Sequence, residues 1–391
     1  MKGAKPRLLL IGNTLETFGG GERWLLEVAT LLKNKYRITI LNPISKKSLI
    51  KSRKEDILRS YNLKGIEVID LPSLGINSKA FGTESFLLMV PGPKSLAIIN
   101  ERIKNADVVY CLSSNPVILG AVVHLSNLYR KRMIFGVHNP SFYKIFGKPE
   151  SIKQAVMNRS YRALLKGVLH FHVLNAEDER LVRIHYPKAR AYRIPNFLTR
   201  RPPKIVVNKE RFVVLFVARF QKYQKGIDLL EKIVAEVIKR NKRIVFHLVG
   251  SGGDGEGIVR SLASRYKNNV KWLGFLDLKR LDREYADAGA LAFPSRFEGF
   301  PLTVLEAQSY GIPAVAFDVK GLDEIIRNNY QGYLVGPFDI DSFVKRIGTL
   351  YSSWNKNKQA FLKTKRRISD FVCNEFDSKR VIAAIARMCD G

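Results

Sequence analysis

Acidic residues are what this chain has too few of: 35 Asp and Glu stand against 66 Lys and Arg in 391 residues, a net charge of +31. The deficit runs through both halves, with 33 basic against 14 acidic residues in 1–200 and 33 against 21 in the remainder. Such a balance implies an anionic partner, whether nucleic acid, an anionic membrane surface or phosphorylated substrates. A solvated basic surface without a partner is the plain alternative. Cysteine is scarce as well. Cys111, Cys373 and Cys389 lack metal-ligand spacing and cannot build a disulfide framework, so a reducing, cytoplasmic setting is expected. Long hydrophobic runs are missing: Ser85–Val90 is far shorter than the roughly 20 residues that span a bilayer. The start, MKGAKPRLLLIGN, has no apolar stretch of signal-peptide length and reads as a first strand.

What is present is an alternation. Short β-rich runs recur at 7–12, 36–42, 66–71, 107–112, 132–137, 168–174 and 191–196. Most are continuously apolar, as parallel strands buried on both faces are. The stretch LTRRPPKIVVNKE (198–210) reads as a linker. A second series then begins at 212–218, 244–250, 270–275, 290–295 and 313–318, with helices expected between strands, for example Ile227–Lys239 and Ser342–Trp354. Two successive βα series predict two doubly wound, Rossmann-like α/β domains facing each other across a cleft, with ligands near the carboxyl ends of strands. The expected division is 1–200, 201–369 and a C-terminal segment, 370–391.

One stretch concentrates chemistry: FEGFPLTVLE, Phe297 to Glu306. Pro301 suits a first helical position and Gly311 a position just past the end. The free amides of Leu302, Thr303 and Val304 would make an anion site. A helix start contributes about half a positive charge, so a diphosphate would also need cations. Arg219 and Lys225, in ARFQKYQKGIDLL, follow the first strand of the second series and could supply them. They could equally be two solvated basic residues. Glu298 and Glu306 flank the helix start, and a carboxylate accepts two hydrogen bonds, matching vicinal sugar or ribose hydroxyls. A nucleotide-sugar has hydroxylated rings on both sides of its diphosphate.

These residues resemble the retaining glycosyltransferases of family 4, which have the GT-B fold. The segment PSRFEGFPLTVLEAQSYGIPAVAFD (294–318) is similar to that family's signature of glutamates eight positions apart. FVARFQKYQKGIDLL, HLVGSGGDGEGI with VKWLGF, FGGGERWLLEVATLL and IFGVHN are similar to further family segments, in the same order along nearly the whole chain. The resemblance implies that Arg219 and Lys225 hold the donor diphosphate and stabilise the departing nucleoside diphosphate. It implies Glu306 on the ribose, Glu298 on the transferred sugar, and the loop of Gly19 and Gly20 near the phosphates. It places His138 against the donor sugar, the first domain on the acceptor, the second on the donor, and the C-terminal helix back on the first domain. The donor would be a UDP- or GDP-sugar, used without a metal or other cofactor, with retention by front-face attack. No paired nucleophile and base of the kind double displacement requires is evident.

The chain departs from the family pattern at Ala218, Phe197 and Lys320. Lys320 could add phosphate affinity or face solvent. Asp339-Ile340-Asp341 could suggest a metal, but its place before an apolar helix favours capping. The basic, apolar stretch 141–166 contains Lys144, Lys148, Lys153, Arg159, Arg162 and Lys166 against Glu150, and can form an amphipathic helix on an anionic membrane or pack ordinarily on the core. The Phe81–Lys94 segment is a second such candidate. A membrane contact implies a lipid-linked or surface-glycan acceptor and a peripheral position on the cytoplasmic face. The competing class is a basic nucleic-acid-binding protein without transferase activity, although no nucleic-acid module is recognised. A dinucleotide dehydrogenase fits poorly, because the first strand leads into GNTLETFGGG without G-x-G-x-x-G spacing and the second ends in Asn42.

Overall fold

The structure, a computed structural model, describes residues 4–15, 19–45, 58, 61–77, 87–138, 142–202 and 204–391, with backbone alone at 45, 75–77 and 87–89. Residues 81–86 of the Phe81–Lys94 candidate lie outside that set. The chain divides into two compact units, Met1–Pro195 with Lys379–Gly391, and Asn196–Ser378.

In the first unit, β1 (Arg7–Ile11), α1 (Gly20–Leu32), β2 (Arg37–Ser45), β3 (Glu67–Asn77) and β4 (Leu87–Pro91) are followed by α2 (Pro93–Asn105), β5 (Val108–Cys111), α3 (Pro116–Leu128), β6 (Arg132–Val137), α4 (Ile152–Leu165), β7 (His170–Val173), α5 (Ala176–His185) and β8 (Arg190–Arg193). Their sheet order is β4-β3-β2-β1-β5-β6-β7-β8. Every pairing is parallel except that of β4 with β3, which is antiparallel. The chain moves outward from β1 to β4, then restarts at β5 on the other side of β1. The order therefore reverses between β1 and β5, the place where doubly wound sheets open a crevice.

The second unit contains β9 (Phe212–Val217), α6 (Ile227–Arg240), β10 (Ile244–Val249), α7 (Glu256–Arg265), β11 (Val270–Gly274), α8 (Leu278–Asp287), β12 (Ala288–Phe293), α9 (Leu302–Ser309), β13 (Ala314–Phe317), β14 (Gly332–Val335), α10 (Ile340–Lys356) and α11 (Lys358–Glu375). Its sheet, β11-β10-β9-β12-β13-β14, is all parallel and reverses between β9 and β12. Helix α6 shows why the sequence folds here: Leu230, Ile233, Val234 and Val237 recur at helical spacing and are all buried against strand residues such as Phe216 and Phe246. Each such side chain contributes about 1.5–3 kcal/mol of burial.

Helix α12 (Ser378–Asp390) returns to the first unit. The Tyr36 hydroxyl donates to the Asp390 carboxylate at 2.5 Å, Lys35 pairs with the same carboxylate, and Arg132 donates to the Met388 carbonyl at 2.9 Å. The three cysteines are buried free thiols. Helix α4 packs on the core at its C-terminal end, through buried Leu165 and through Tyr161 against the same cluster, while at its N-terminal end Ile152 is 87% and Val156 61% exposed. Among the described residues, no helix is long and apolar enough to cross a membrane.

Candidate functional site

The second unit brings its chemistry to the reversal between β9 and β12. Arg219 and Lys225 lie on the loop leaving β9, and Glu298 lies on the loop leaving its neighbour β12. The Lys225 Nζ donates to Glu298 Oε1 at 2.7 Å, with Glu298 only 6% exposed. The same ammonium lies 5.9 Å from the Phe293 ring centre. Arg219 is exposed and sits on a loop held by the next one: Phe220 N–H donates to Gly252 O at 2.9 Å, and Lys222 N–H to Asp254 Oδ1 at 2.8 Å.

Two glycine-dependent contacts fix these geometries. Gly226 has φ +66°, and a Cβ there would lie 2.0 Å from the Pro294 carbonyl oxygen. The backbone after Lys225 therefore approaches the β12–α9 loop more closely than any side chain permits. In the first unit, a Cβ on Gly136 would lie 2.4 Å from the Tyr110 hydroxyl.

Helix α9 differs from the expectation at its start. Pro301 is the cap, with ψ 115°, not the first helical residue. Its carbonyl accepts from Val304 N–H at 3.2 Å, so that amide turns inward instead of joining an anion site. Among the described residues, the N–H groups of Leu302 and Thr303 have no backbone partner, as the first positions of a helix do not. Asn196 Nδ2 donates to Phe300 O at 2.6 Å and fixes the turn before the cap. Glu306 is half-buried and accepts from the Tyr285 hydroxyl at 3.1 Å, with Tyr285 1% exposed. Lys320 precedes Gly321, whose backbone packs against Gly299 of the same turn. Asp339 caps α10 by accepting from Ser342 N–H at 2.9 Å, and Asp341 pairs with Arg240 at 2.8 Å. Among the described residues, no group of three His, Cys, Asp or Glu side chains could hold a metal ion.

Gly19, Gly20 and His138 lie in the first unit. Gly19 caps α1, and its N–H donates to Glu22 Oε2 at 3.0 Å. Its φ of −142° is ordinary extended backbone, so torsion does not demand glycine there. His138 follows β6 and belongs to a cluster that sequence spacing did not reveal. Tyr110 OH lies 2.6 Å from His172 Nδ1 and 3.4 Å from His138 Nε2, and His172 Nε2 lies 2.8 Å from Ile194 O. A carbonyl can only accept, so His172 carries its proton on Nε2. Its Nδ1 then accepts from Tyr110, and the Tyr110 oxygen accepts from His138 Nε2–H. Trp24 covers the group, with its ring 4.6 Å from His138 and 5.3 Å from Tyr110. Burial lowers His172 to about 4, and burial together with His172 holds His138 well below the usual histidine value. His138 is therefore a neutral imidazole at physiological pH.

Solved structures with this fold include a glycosyltransferase from Rickettsia africae, which the chain matches with a TM-score of 0.70 at 18% identity, covering 98% of this chain and 97% of that one. The chain superposes on Anabaena HepE in complex with UDP and glucose with a TM-score of 0.71 at 18% identity, covering 98% of this chain and 99% of that one. It superposes on Staphylococcus aureus TarM, in complex with UDP among other ligands, with a TM-score of 0.74 at 12% identity, covering 99% and 100%. The fold is the GT-B fold, built from two Rossmann-like units. Residues 199–367 match the family model described as glycosyl transferases group 1. Over 172 residues the chain is 35% identical to an uncharacterised 41.2 kDa protein in the cps region of Klebsiella pneumoniae, covering 42% of this chain and 45% of that protein. Over 139 residues it is 34% identical to the glycogen synthase of Thermus thermophilus, covering 36% and 31%. These matches span less than half the length of either relative.

Proposed function

We propose that the protein is a retaining glycosyltransferase that moves a hexose-type sugar from a nucleoside-diphosphate-sugar to an acceptor hydroxyl in glycan biosynthesis. The observation that carries this reading is the convergence, at the reversal between β9 and β12, of the Arg219 and Lys225 loop, the Glu298 loop and the start of α9 ahead of Glu306. Cations and helix amides suit a diphosphate, and carboxylates on either side of them suit hydroxylated rings. In the reaction the anomeric carbon–phosphate oxygen bond breaks as the acceptor oxygen bonds to the same face. The acceptor proton passes to the departing diphosphate. Arg219 and Lys225 would stabilise the charge that develops there, and His138, neutral, would orient a sugar hydroxyl. The family match over 199–367 supports the transferase class, and UDP in the structural neighbours supports a uridine nucleotide as the first donor to try.

The test is donor binding and hydrolysis across UDP- and GDP-sugars with EDTA present, for the natural protein and Glu306→Ala. One donor should bind saturably. Losing a charged acceptor for ribose hydroxyls should weaken that donor by about 10- to 100-fold. No donor bound, with salt-sensitive binding to nucleic acid instead, would overturn the reading. Anomeric retention is checked by the coupling constant of the product.

We further propose that α4 rests on an anionic membrane, which places a lipid-linked acceptor beside the enzyme. On its outward face Ile152, Val156 and Met157 are exposed, flanked by exposed Lys153, Arg159, Arg162 and Lys166. Apolar side chains facing outward between cations support a place at a headgroup boundary. Vesicles containing phosphatidylglycerol should bind the protein, and neutral vesicles should not. The double variant Ile152→Glu/Val156→Glu should lower that binding about tenfold or more. Equal binding to both vesicle types, or an unaffected variant, would remove the membrane from the account.

A further inference from the structure

Arg296 lies two residues before Glu298, and no reading of the sequence gives it a role. Its guanidinium forms a fork on the Asp228 carboxylate, Nη1 to Oδ1 at 2.8 Å and Nη2 to Oδ2 at 2.7 Å. Nη1 also donates to the carbonyls of Tyr223 at 3.0 Å and Lys222 at 3.3 Å. The Arg296 backbone N–H donates to Gln224 O at 2.9 Å. The ring centres of Tyr223 and Phe338 lie 5.1 and 5.6 Å from the guanidinium carbon. Asp228 is in the first turn of α6, and the Arg296 guanidinium holds its carboxyl below the usual carboxylate range.

One side chain and its amide thus fasten three successive carbonyls, those of Lys222, Tyr223 and Gln224, together with the helix that follows. Lys225 comes next and is pinned on its far side by Gly226 against the Pro294 carbonyl. A flexible lysine gains little from its own rotamers; its reach is set by where its Cα is held. Here the Cα is held on both sides by the loop that also presents Glu298.

We infer that Arg296, acting with Asp228, is a positioning residue that sets Lys225 for the diphosphate of the donor. The inference rests on the donor-site reading above. It gives Arg296 no contact with substrate. Its effect is to fix the loop before the ligand arrives, so that binding need not order it. A lysine at 296 would keep the charge but could not form the fork or reach several acceptors in one plane.

The experiment titrates UDP, GDP, uridine and guanosine against the natural protein, Arg296→Lys and Asp228→Asn. For the nucleotide that binds, Arg296→Lys should weaken the diphosphate by about tenfold and leave the nucleoside within about twofold, because the loop serves the phosphates and not the base. Asp228→Asn should shift the same way. Equal losses for nucleotide and nucleoside, or no loss in either variant, would overturn the inference. A second measurement needs no nucleotide: the rate of Lys225 acetylation, read by peptide mass spectrometry. It should rise several-fold in Arg296→Lys as the Lys225–Glu298 pair loosens, and an unchanged rate would sink the positioning role. Absence of nucleotide binding to the natural protein together with a raised acetylation rate would fault the donor-site reading and leave the positioning of Lys225 standing.

Discussion

Lys225→Ala is expected to lower sugar transfer by about 10²–10³-fold and to destabilise the second unit as well. The two effects have separate causes. On the proposed function, transfer falls because a positioned cation no longer meets the charge that would develop on the leaving diphosphate. Stability falls because Glu298, 6% exposed, is left as a buried carboxylate without its partner at 2.7 Å. Breaking a buried pair from one side costs on the order of 3 kcal/mol, most of it desolvation that nothing offsets. The double variant Lys225→Ala/Glu298→Gln should therefore recover stability and stay inactive. Urea denaturation of the single and double variants, with initial rates on the donor found by the panel, separates the two terms. A double variant no more stable than Lys225→Ala would show that the pair does not hold the loop.

The second large effect concerns pH. Lys365, on α11, is 1% exposed and donates to the Ala288 carbonyl at 2.9 Å, and burial lowers its pKa from 10.5 to about 7. Above about pH 7 the folded protein holds this lysine neutral, whereas the unfolded chain keeps it protonated until about 10.5. The unfolded state binds the extra proton across that window, so this group makes stability rise with pH there, and its cost is full below about 7. Over the window the effect is on the order of 5 kcal/mol. Lys365→Met removes the charge and keeps most of the volume. Its stability advantage over the natural protein should be large at pH 6.5 and shrink, with reversal as the Ala288 carbonyl is left unpaired, by pH 10. A difference that stays constant from pH 6.5 to 10 would mean that Lys365 does not titrate in this window.

Local signals revealed a great deal of this molecule. The apolar runs marked most strands to within a few residues, because parallel strands covered on both faces need unbroken apolar sequence. The helix Ile227–Arg240 was legible from its spacing, and Asp339 as a cap from its place before α10. Two strands were not legible. The apolar stretch at β4 reads as a possible membrane contact, and it becomes the antiparallel edge only by pairing with the far end of β3, which runs through Pro72 and Gly75 to Asn77. Strand β14, Gly332–Val335, is four residues at the other sheet's edge, too short to declare a period.

The site divides in the same way. Arg219, Lys225, Glu298 and Glu306 were candidates from their places around a strand end and a helix start, which are features of a few consecutive residues. Their partners did not. Tyr285 reaches Glu306 from another helix, Tyr110 and His172 reach His138 from neighbouring strands, and Asp228 reaches Arg296 from 68 positions away. Lys365 sits in a run of basic residues, KTKRR, with no mark to distinguish it from its solvated neighbours. By itself the sequence determined periodicity, punctuation and the chemistry of short loops, because those follow from torsions and burial within one segment. Sheet order, the inward turn of Val304, the outward apolar face of α4 and the burial of Lys365 were decided by tertiary structure, because each depends on which distant segment comes to lie alongside.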